Sequence, residues 1–384
     1  MRRTTGALAA LSLTVAMAGC GQGGDEVKVD VDPPSESTSP STTTSPGESP
    51  DTSSGAPSDP SGTPQVVETI ATGLVAPWGL AFLPDGSAVV TERDSAKVLQ
   101  IGGPDHAVTE IGTIGETAPQ GEGGLLGVAV SPRFDRDRTL YFYVSSANDN
   151  RIVTATLDKG GLSDTTPILT GIPLGAIHDG GRIEFGPDGF LYVATGETGE
   201  PELAQDRSTL AGKILRLTPK GKPAPGNPFG DEIWSLGHRN VQGLAFTDDG
   251  QLWASEFGQN TFDELNRIDA GANYGWPDVE GEGGTDAGFV DPQAVWGTDV
   301  ASPSGLAFTG GALYMAALRG NRLWKIPVES DGDAGQPEAF FVGEYGRMRT
   351  VVLAPDGSLW LTTSNLDGRG SPADDDDRIL RVTP

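Results

Sequence analysis

The sequence predicts an all-β fold, a six-bladed β-propeller of four-stranded antiparallel blades. Three observations predict it: a hairpin signature that recurs six times, a short charged-apolar strand after most hairpins, and a repeat spacing large enough for a blade. The hairpin signature is an apolar run, a turn of the Pro-Asp-Gly type, and a second apolar run. It begins at Gly79, Gly127, Arg182, Gly243, Gly305 and Val351, with turns such as Pro84-Asp85-Gly86, Pro187-Asp188-Gly189 and Pro355-Asp356-Gly357. The second runs include Leu191–Ala194 and Leu359–Thr362. Repeats of this period are read before any single element, because they set the architecture.

The strands that follow are Lys97–Ile101, Arg151–Leu157, Lys213–Leu217, Glu264–Ile268, Arg322–Ile326 and Arg378–Val382. They alternate charged and apolar residues, as outer strands with one wet face should. Starts are spaced by about 45 to 62 residues, enough for four strands and their loops. A sandwich would not carry six similar hairpins. Val66–Ile70 precedes the first hairpin and is expected to join the C-terminal blade, closing the ring.

The first residues belong to a different regime. Arg2 and Arg3 precede an apolar run from Gly6 to Ala18, and Gly19 precedes the single cysteine, Cys20. This is a signal peptide over residues 1–19, with Cys20 placed for lipidation as in bacterial lipoproteins. A lone cysteine excludes an intrachain disulfide. Residues 20–64 are then the lipidated cysteine and a Ser/Thr/Pro-rich linker, too poor in apolar side chains to form a core. The folded domain is residues 65–384. The expected location is the outer face of a bacterial cell membrane, reached through the lipid anchor alone. A net charge of −27 argues against nucleic acid as a partner.

Against that acidity, clustered arginines and rigid polar turns mark a site. Gly237-His238-Arg239-Asn240-Val241-Gln242-Gly243 puts a cation, two amides and an imidazole between glycines at the start of the fourth hairpin. Of three histidines, His178 enters the third hairpin on a loop and is placed to act as a general base; a surface histidine is the alternative. His238 reads as a structural hydrogen-bonding residue and His106 as solvent-exposed. Arg239, Arg319, Arg347 and Arg349 each flank an inner run, and Arg347 and Arg349 share one face of an extended segment. Such pairs suit a ligand with several carboxylates, or salt bridges on an acidic protein.

Glu256, Asp263, Glu264 and the carbonyls near Gly258, Gln259 and Tyr274 are hard oxygen donors. They suit calcium better than zinc or iron. Asp374–Asp377 reads as a solvated loop.

Taken in order, several motifs resemble the soluble, calcium-dependent pyrroloquinoline quinone (PQQ) sugar dehydrogenases, especially the aldose sugar dehydrogenase branch. They are Pro77–Phe82, Gly123–Gly127, Gly212–Leu217, Gly237–Asn240 with Gln242-Gly243, Asn273–Pro277 and Ala317–Gly320. The resemblance spans Val66 to Pro384 and implies a six-bladed propeller that oxidises an aldose at its anomeric carbon to a lactone. Electrons would pass to an external acceptor.

It further implies that His178 takes the proton of the anomeric hydroxyl and that Arg239 stabilises charge developing on the quinone. Asn240 would contact the cofactor, and Arg319, Arg347 and Arg349 would bind its three carboxylates. Gly258 and Gln259 would offer carbonyls to the cofactor's Ca²⁺. Glu264, with the Tyr274 carbonyl, matches a second calcium position.

Two departures stand out. Glu122 replaces a glutamine at the cofactor, and Glu197 replaces an aspartate that supports the catalytic histidine. Glu197 can still accept from the imidazole. Glu122 beside a polyanion repels it unless the carboxyl is protonated or paired with an arginine. Two other classes remain open, a non-catalytic sugar- or protein-binding propeller and a propeller lactonase.

Overall fold

A computed structural model describes residues 62–384, so the predicted signal peptide, Cys20 and nearly all of the linker lie outside the described residues. Six four-stranded antiparallel blades follow in chain order. Blade 1 is Pro77–Phe82, Ala88–Glu92, Lys97–Gly102 and Ala107–Thr113. Blade 2 is Leu125–Val130, Thr139–Ser145, Asn150–Asp158 and Thr166–Ile172, with Gly161–Leu162 added beside its third strand. Blade 3 is Ile183–Phe185, Leu191–Ala194, Lys213–Leu217 and Ile233–Leu236. Blade 4 is Val241–Phe246, Leu252–Glu256, Phe262–Ile268 and Ala294–Gly297. Blade 5 is Pro303–Thr309, Ala312–Ala317, Arg322–Pro327 and Glu338–Phe340.

Blade 6 combines both ends of the domain. Met348–Leu353, Leu359–Thr363 and Ile379–Thr383 come from the C-terminus, and Gln65–Ala71 pairs antiparallel with the last of them. The predicted closing strand is therefore present, and the ladder ties residues more than 300 positions apart.

Each blade must bury both faces, one against each neighbour, so its second strand is apolar on both sides. Ala88–Glu92, Leu252–Glu256, Ala312–Ala317 and Leu359–Thr363 are buried along their whole length. The core is accordingly divided into six apolar clusters, one between each pair of adjacent blades. The innermost strands approach one another backbone to backbone. A Cβ on Gly127 would stand 2.3 Å from the Gly181 carbonyl oxygen, and one on Gly243 2.3 Å from that of Ser304. These repeat glycines are thus needed for ring closure rather than for turn geometry.

One expectation is corrected here. The charged-apolar strands are third strands, each covered by a fourth, and Lys213–Leu217 is buried throughout. The Lys213 ammonium donates to the carbonyls of Leu203, Ala204 and Ala211, which explains how a lysine is accommodated inside. Burial lowers its proton affinity to a pKa of about 8.

Candidate active site

The loops that leave the strands at one end of the ring carry most of the predicted site residues. Among them lies a cavity of about 300 Å³ lined by Trp78, Glu122, Gln242, Phe257 and Leu318, with five arginines and Asp367. The arginines are Arg93, Arg319, Arg347, Arg349 and Arg369. Five guanidiniums against two carboxylates make a cationic chamber in a chain whose net charge is −27. That contrast selects for an anionic ligand of several charges.

Arg347 and Arg349 face the same partner. Asp367 Oδ2 accepts from Arg347 Nε and Nη2 at 3.0 and 2.9 Å and from Arg349 Nη2 at 3.3 Å. Burial works against the Asp367 charge, but the Arg349 and Arg347 guanidiniums outweigh it and hold the carboxyl below its ordinary range. Arg349 also donates to Gln242 Oε1 at 3.2 Å. Of the two readings of this pair, the structure shows the salt bridges, and it places both arginines on the chamber wall. Arg319 is exposed at the chamber wall, and its side chain has no hydrogen-bond partner among the described residues. Beneath the chamber, Arg182 crosses the axis between Gln242 O at 2.8 Å and Thr350 Oγ1 at 3.0 Å, stacked on Trp78.

His178 stands beside this chamber through Glu122. Its Nδ1 lies 2.5 Å from Glu197 Oε1, and its backbone N–H donates to Glu122 Oε2 at 2.9 Å. Glu122 Oε1 in turn accepts from Arg369 Nη1 at 2.7 Å. Desolvation opposes the Glu122 charge, yet the His178 N–H and Arg369 hold the carboxyl below its ordinary range. The carboxylate is therefore ionised and paired, which answers the repulsion that its position raises.

Arg239 and Asn240 complete the network. The Glu197 N–H donates to the Arg239 carbonyl at 2.8 Å, and Arg239 Nη1 donates to the Phe257 carbonyl at 3.2 Å. Arg239 Nε is buried and has no hydrogen-bond partner among the described residues. Burial lowers the Arg239 guanidinium's pKa, an effect that Glu197, Glu280, Glu122 and Glu256 offset in part. Asn240 is buried, and its side-chain oxygen accepts the Gly180 N–H at 3.0 Å. It braces the His178 loop and is not among the residues lining the chamber.

The oxygen-donor cluster divides in two. Gly258 and Gln259 lie on a loop whose amides are all tied down. Gly258 N–H goes to Asp263 Oδ1 at 2.9 Å, and the amides of Gln259, Asn260, Thr261 and Phe262 all donate to Glu280 Oε1. Glu264 is buried, accepting from Gly281 N and from Asn266 Nδ2. Burial and the nearby Glu256 push its carboxyl upward. Asn266 Oδ1 is buried with no hydrogen-bond partner among the described residues. The Glu264 carboxyl and this amide oxygen are hard donors of the kind calcium takes. No group of three or more His, Cys, Asp or Glu side chains converges as a metal cage among the described residues, so backbone carbonyls must supply much of any coordination. The Tyr274 ring stacks on His238 at 4.7 Å.

His238 is the scaffold residue its position suggests, fully buried between Ser235 Oγ and Glu256 Oε1 at 2.8 Å each. The solvated reading of Asp374–Asp377 is corrected in half. Asp376 and Asp377 are buried, and Asp377 accepts backbone N–H groups from Ala76 and Asn365. Five residues of this network escaped sequence reasoning: Arg93, Asp367, Arg369, Glu280 and Arg182. Arg182 carries the one legible signal, since an arginine stands where most repeats have glycine.

Comparison with known proteins places this geometry. The chain matches the Glucose / Sorbosone dehydrogenase family over residues 74–380. It is 30% identical over 355 residues to the aldose sugar dehydrogenase YliI of Escherichia coli, covering 83% of this chain and 92% of that one. It is 32% identical over 253 residues to quinoprotein glucose dehydrogenase B of Acinetobacter calcoaceticus, covering 56% and 52%. Among solved structures, the PQQ-bound form of aldose sugar dehydrogenase from Streptomyces coelicolor superposes with a TM-score of 0.83. It is 52% identical and covers 85% of this chain and 99% of that one.

Proposed function

Since the chain belongs to the glucose/sorbosone dehydrogenase family, we propose that it is a PQQ-dependent aldose dehydrogenase that oxidises the anomeric carbon to a lactone and passes electrons to an external acceptor. The observation that carries this reading is the arginine chamber next to a carboxylate-buttressed histidine. The chamber suits a tricarboxylate: its lining offers more guanidiniums than carboxylates, and Arg319 there has no side-chain hydrogen-bond partner among the described residues. Arg319, Arg347 and Arg349 would hold the cofactor's carboxylates, with Arg239 set toward its quinone. When bound, PQQ supplies an electron-poor quinone able to accept the hydride of the sugar's anomeric C–H.

The residues of this chain manage the proton. A carboxylate can only accept, so Glu197 fixes hydrogen on His178 Nδ1 and leaves the lone pair on Nε2. Nε2 then takes the anomeric hydroxyl proton, and Glu197 stabilises the imidazolium that forms. Arg239 supplies fixed positive charge where negative charge develops. Ca²⁺ would be held by carbonyls of Gly258 and Gln259, and a second ion by Glu264 with the Tyr274 carbonyl. The exported, Cys20-anchored location belongs to the same proposal and rests on the N-terminal sequence.

The test is reconstitution: add PQQ and Ca²⁺ to the apo protein and follow dye reduction with a panel of aldoses. The expected result is sugar-dependent reduction. Absence of both a cofactor spectrum and activity would leave the non-catalytic binding propeller as the better reading.

A further inference from the structure

We propose that Glu122 is the positioning residue of His178, and that Arg369 is the counter-charge that allows a carboxylate to stand there beside an anion-binding chamber. The part concerning PQQ rests on the cofactor reading above. The part concerning His178 does not.

His178 adopts φ 59°, a left-handed backbone in a residue other than glycine. Such a conformation is strained and persists only where surrounding contacts impose it. Three contacts impose it here. The His178 N–H donates to Glu122 Oε2 at 2.9 Å, its carbonyl accepts the Thr198 N–H at 3.1 Å, and its ring meets Glu197. Two of the three involve neighbours in the third-blade loop; only Glu122 reaches from elsewhere, across 56 residues.

Glu122 is itself held in place. Its N–H donates to the Ala176 carbonyl at 3.1 Å. Gly121 before it takes φ 60°, and a Cβ there would stand 1.9 Å from that same carbonyl oxygen. The turn at Gly121 therefore lies flush against the turn that carries His178, and any side chain at 121 would part them.

The second oxygen of Glu122 does separate work. Arg369 sits on the loop between Leu359–Thr363 and Ile379–Thr383, and its side chain is 60% exposed. An ion pair so open to water adds little to stability. Its effect is on the chamber, where an unpaired carboxylate would repel a polyanion. A glutamine could accept the same N–H without needing Arg369. Glu122 and Arg369 therefore act as a unit.

The test uses the full chain as wild type, Glu122→Ala, Glu122→Gln, Arg369→Ala and the double variant Glu122→Gln/Arg369→Ala. Hydrogen exchange of the peptide carrying His178 is read on apo protein, and PQQ dissociation constants are read by absorbance titration. Glu122→Ala should speed exchange at His178 about tenfold, with Glu122→Gln recovering most of the protection. Arg369→Ala should weaken PQQ binding about tenfold, and adding Glu122→Gln should restore it to within about threefold. Equal exchange in Glu122→Ala and wild type overturns the positioning role. Unaltered PQQ affinity in Arg369→Ala, or no recovery in the double variant, overturns the counter-charge role. A wild-type protein that binds no PQQ overturns the cofactor reading instead, while the exchange result still decides the role of Glu122.

Discussion

Nδ1 of His178 lies 2.5 Å from Oε1 of Glu197, and the other oxygen of that carboxylate is buried with no hydrogen-bond partner among the described residues. The glutamate side chain therefore reaches the imidazole. Removing the base with His178→Ala should lower kcat by about 10²–10⁴-fold. The cofactor spectrum of the reconstituted protein should remain. Glu197→Gln should also cost about 10²-fold or more, because an amide can donate to Nδ1 and place the hydrogen on the wrong nitrogen. Stopped-flow measurement of the reductive half-reaction checks both, and unchanged turnover in His178→Ala would remove it from the mechanism.

Asp367 is the shared counter-ion of two arginines, Arg347 and Arg349. In Asp367→Asn the Arg347 and Arg349 guanidiniums lose their shared counter-ion, which for a buried pair costs about 3–5 kcal/mol. The apo protein should melt earlier by several degrees. Saturating PQQ should recover more Tm in this variant than in wild type, since its carboxylates replace the missing one. Equal ligand-induced shifts would argue that the carboxylates bind elsewhere.

Asp179 follows His178 and is almost fully buried, with Oδ1 accepting from Asn150 and Gly175 and Oδ2 without a hydrogen-bond partner among the described residues. Desolvation raises its pKa from 3.8 to about 6, against the pull of those two donors. The folded state thus holds its proton more tightly than the unfolded chain, so this group's contribution falls as pH rises from about 4 to 6. At about 1.4 kcal/mol per pH unit the loss is on the order of 3 kcal/mol. Asp179→Asn should therefore gain stability relative to wild type between pH 4 and pH 7, read from urea midpoints. A difference that stays flat with pH would show that the native carboxyl titrates normally.

Glu280 binds four consecutive amides of the loop that offers the Gly258 and Gln259 carbonyls. Charge-assisted bonds of this kind are roughly twice as strong as neutral ones. Glu280→Ala should loosen the loop and weaken Ca²⁺ binding about tenfold, measured by calorimetry on the apo protein, with Glu280→Gln between the two. Identical affinities would mean that the loop is not a calcium ligand or is held by other contacts.

Most of the fold was legible because its determinants are local. Pro-Asp-Gly turns such as Pro84–Gly86 and Pro355–Gly357 sit between apolar runs, and each encodes a hairpin within about 15 residues. The closing strand was legible too, since Val66–Ile70 had no hairpin of its own. Strand exposure was less so. The charges of Lys213 and Arg216 suggested a wet edge, yet Lys213 is buried by carbonyls from a neighbouring loop that no periodicity announces. Asp377 misled for the same reason: its donors are chiefly backbone amides, which carry no sequence signal, while Asp376 is held by the Arg378 and Asn365 side chains and the Ala373 N–H.

At the site, the residue types that perform chemistry were readable, and the pairs that tune them were not. His178, Arg239 and the Arg347–Arg349 pair lie in motifs with their own turn and strand chemistry. What tertiary structure decided was the company they keep. Glu122 meets Arg369 across 247 positions, and Asp367 reaches Arg347 and Arg349 from the loop beyond the next strand. Closing the ring brings loops of distant blades to one mouth, and the low dielectric there makes each buried charge depend on a neighbour. Six local hairpins specify the ring, while the charge balance inside it is set only once the ring has closed.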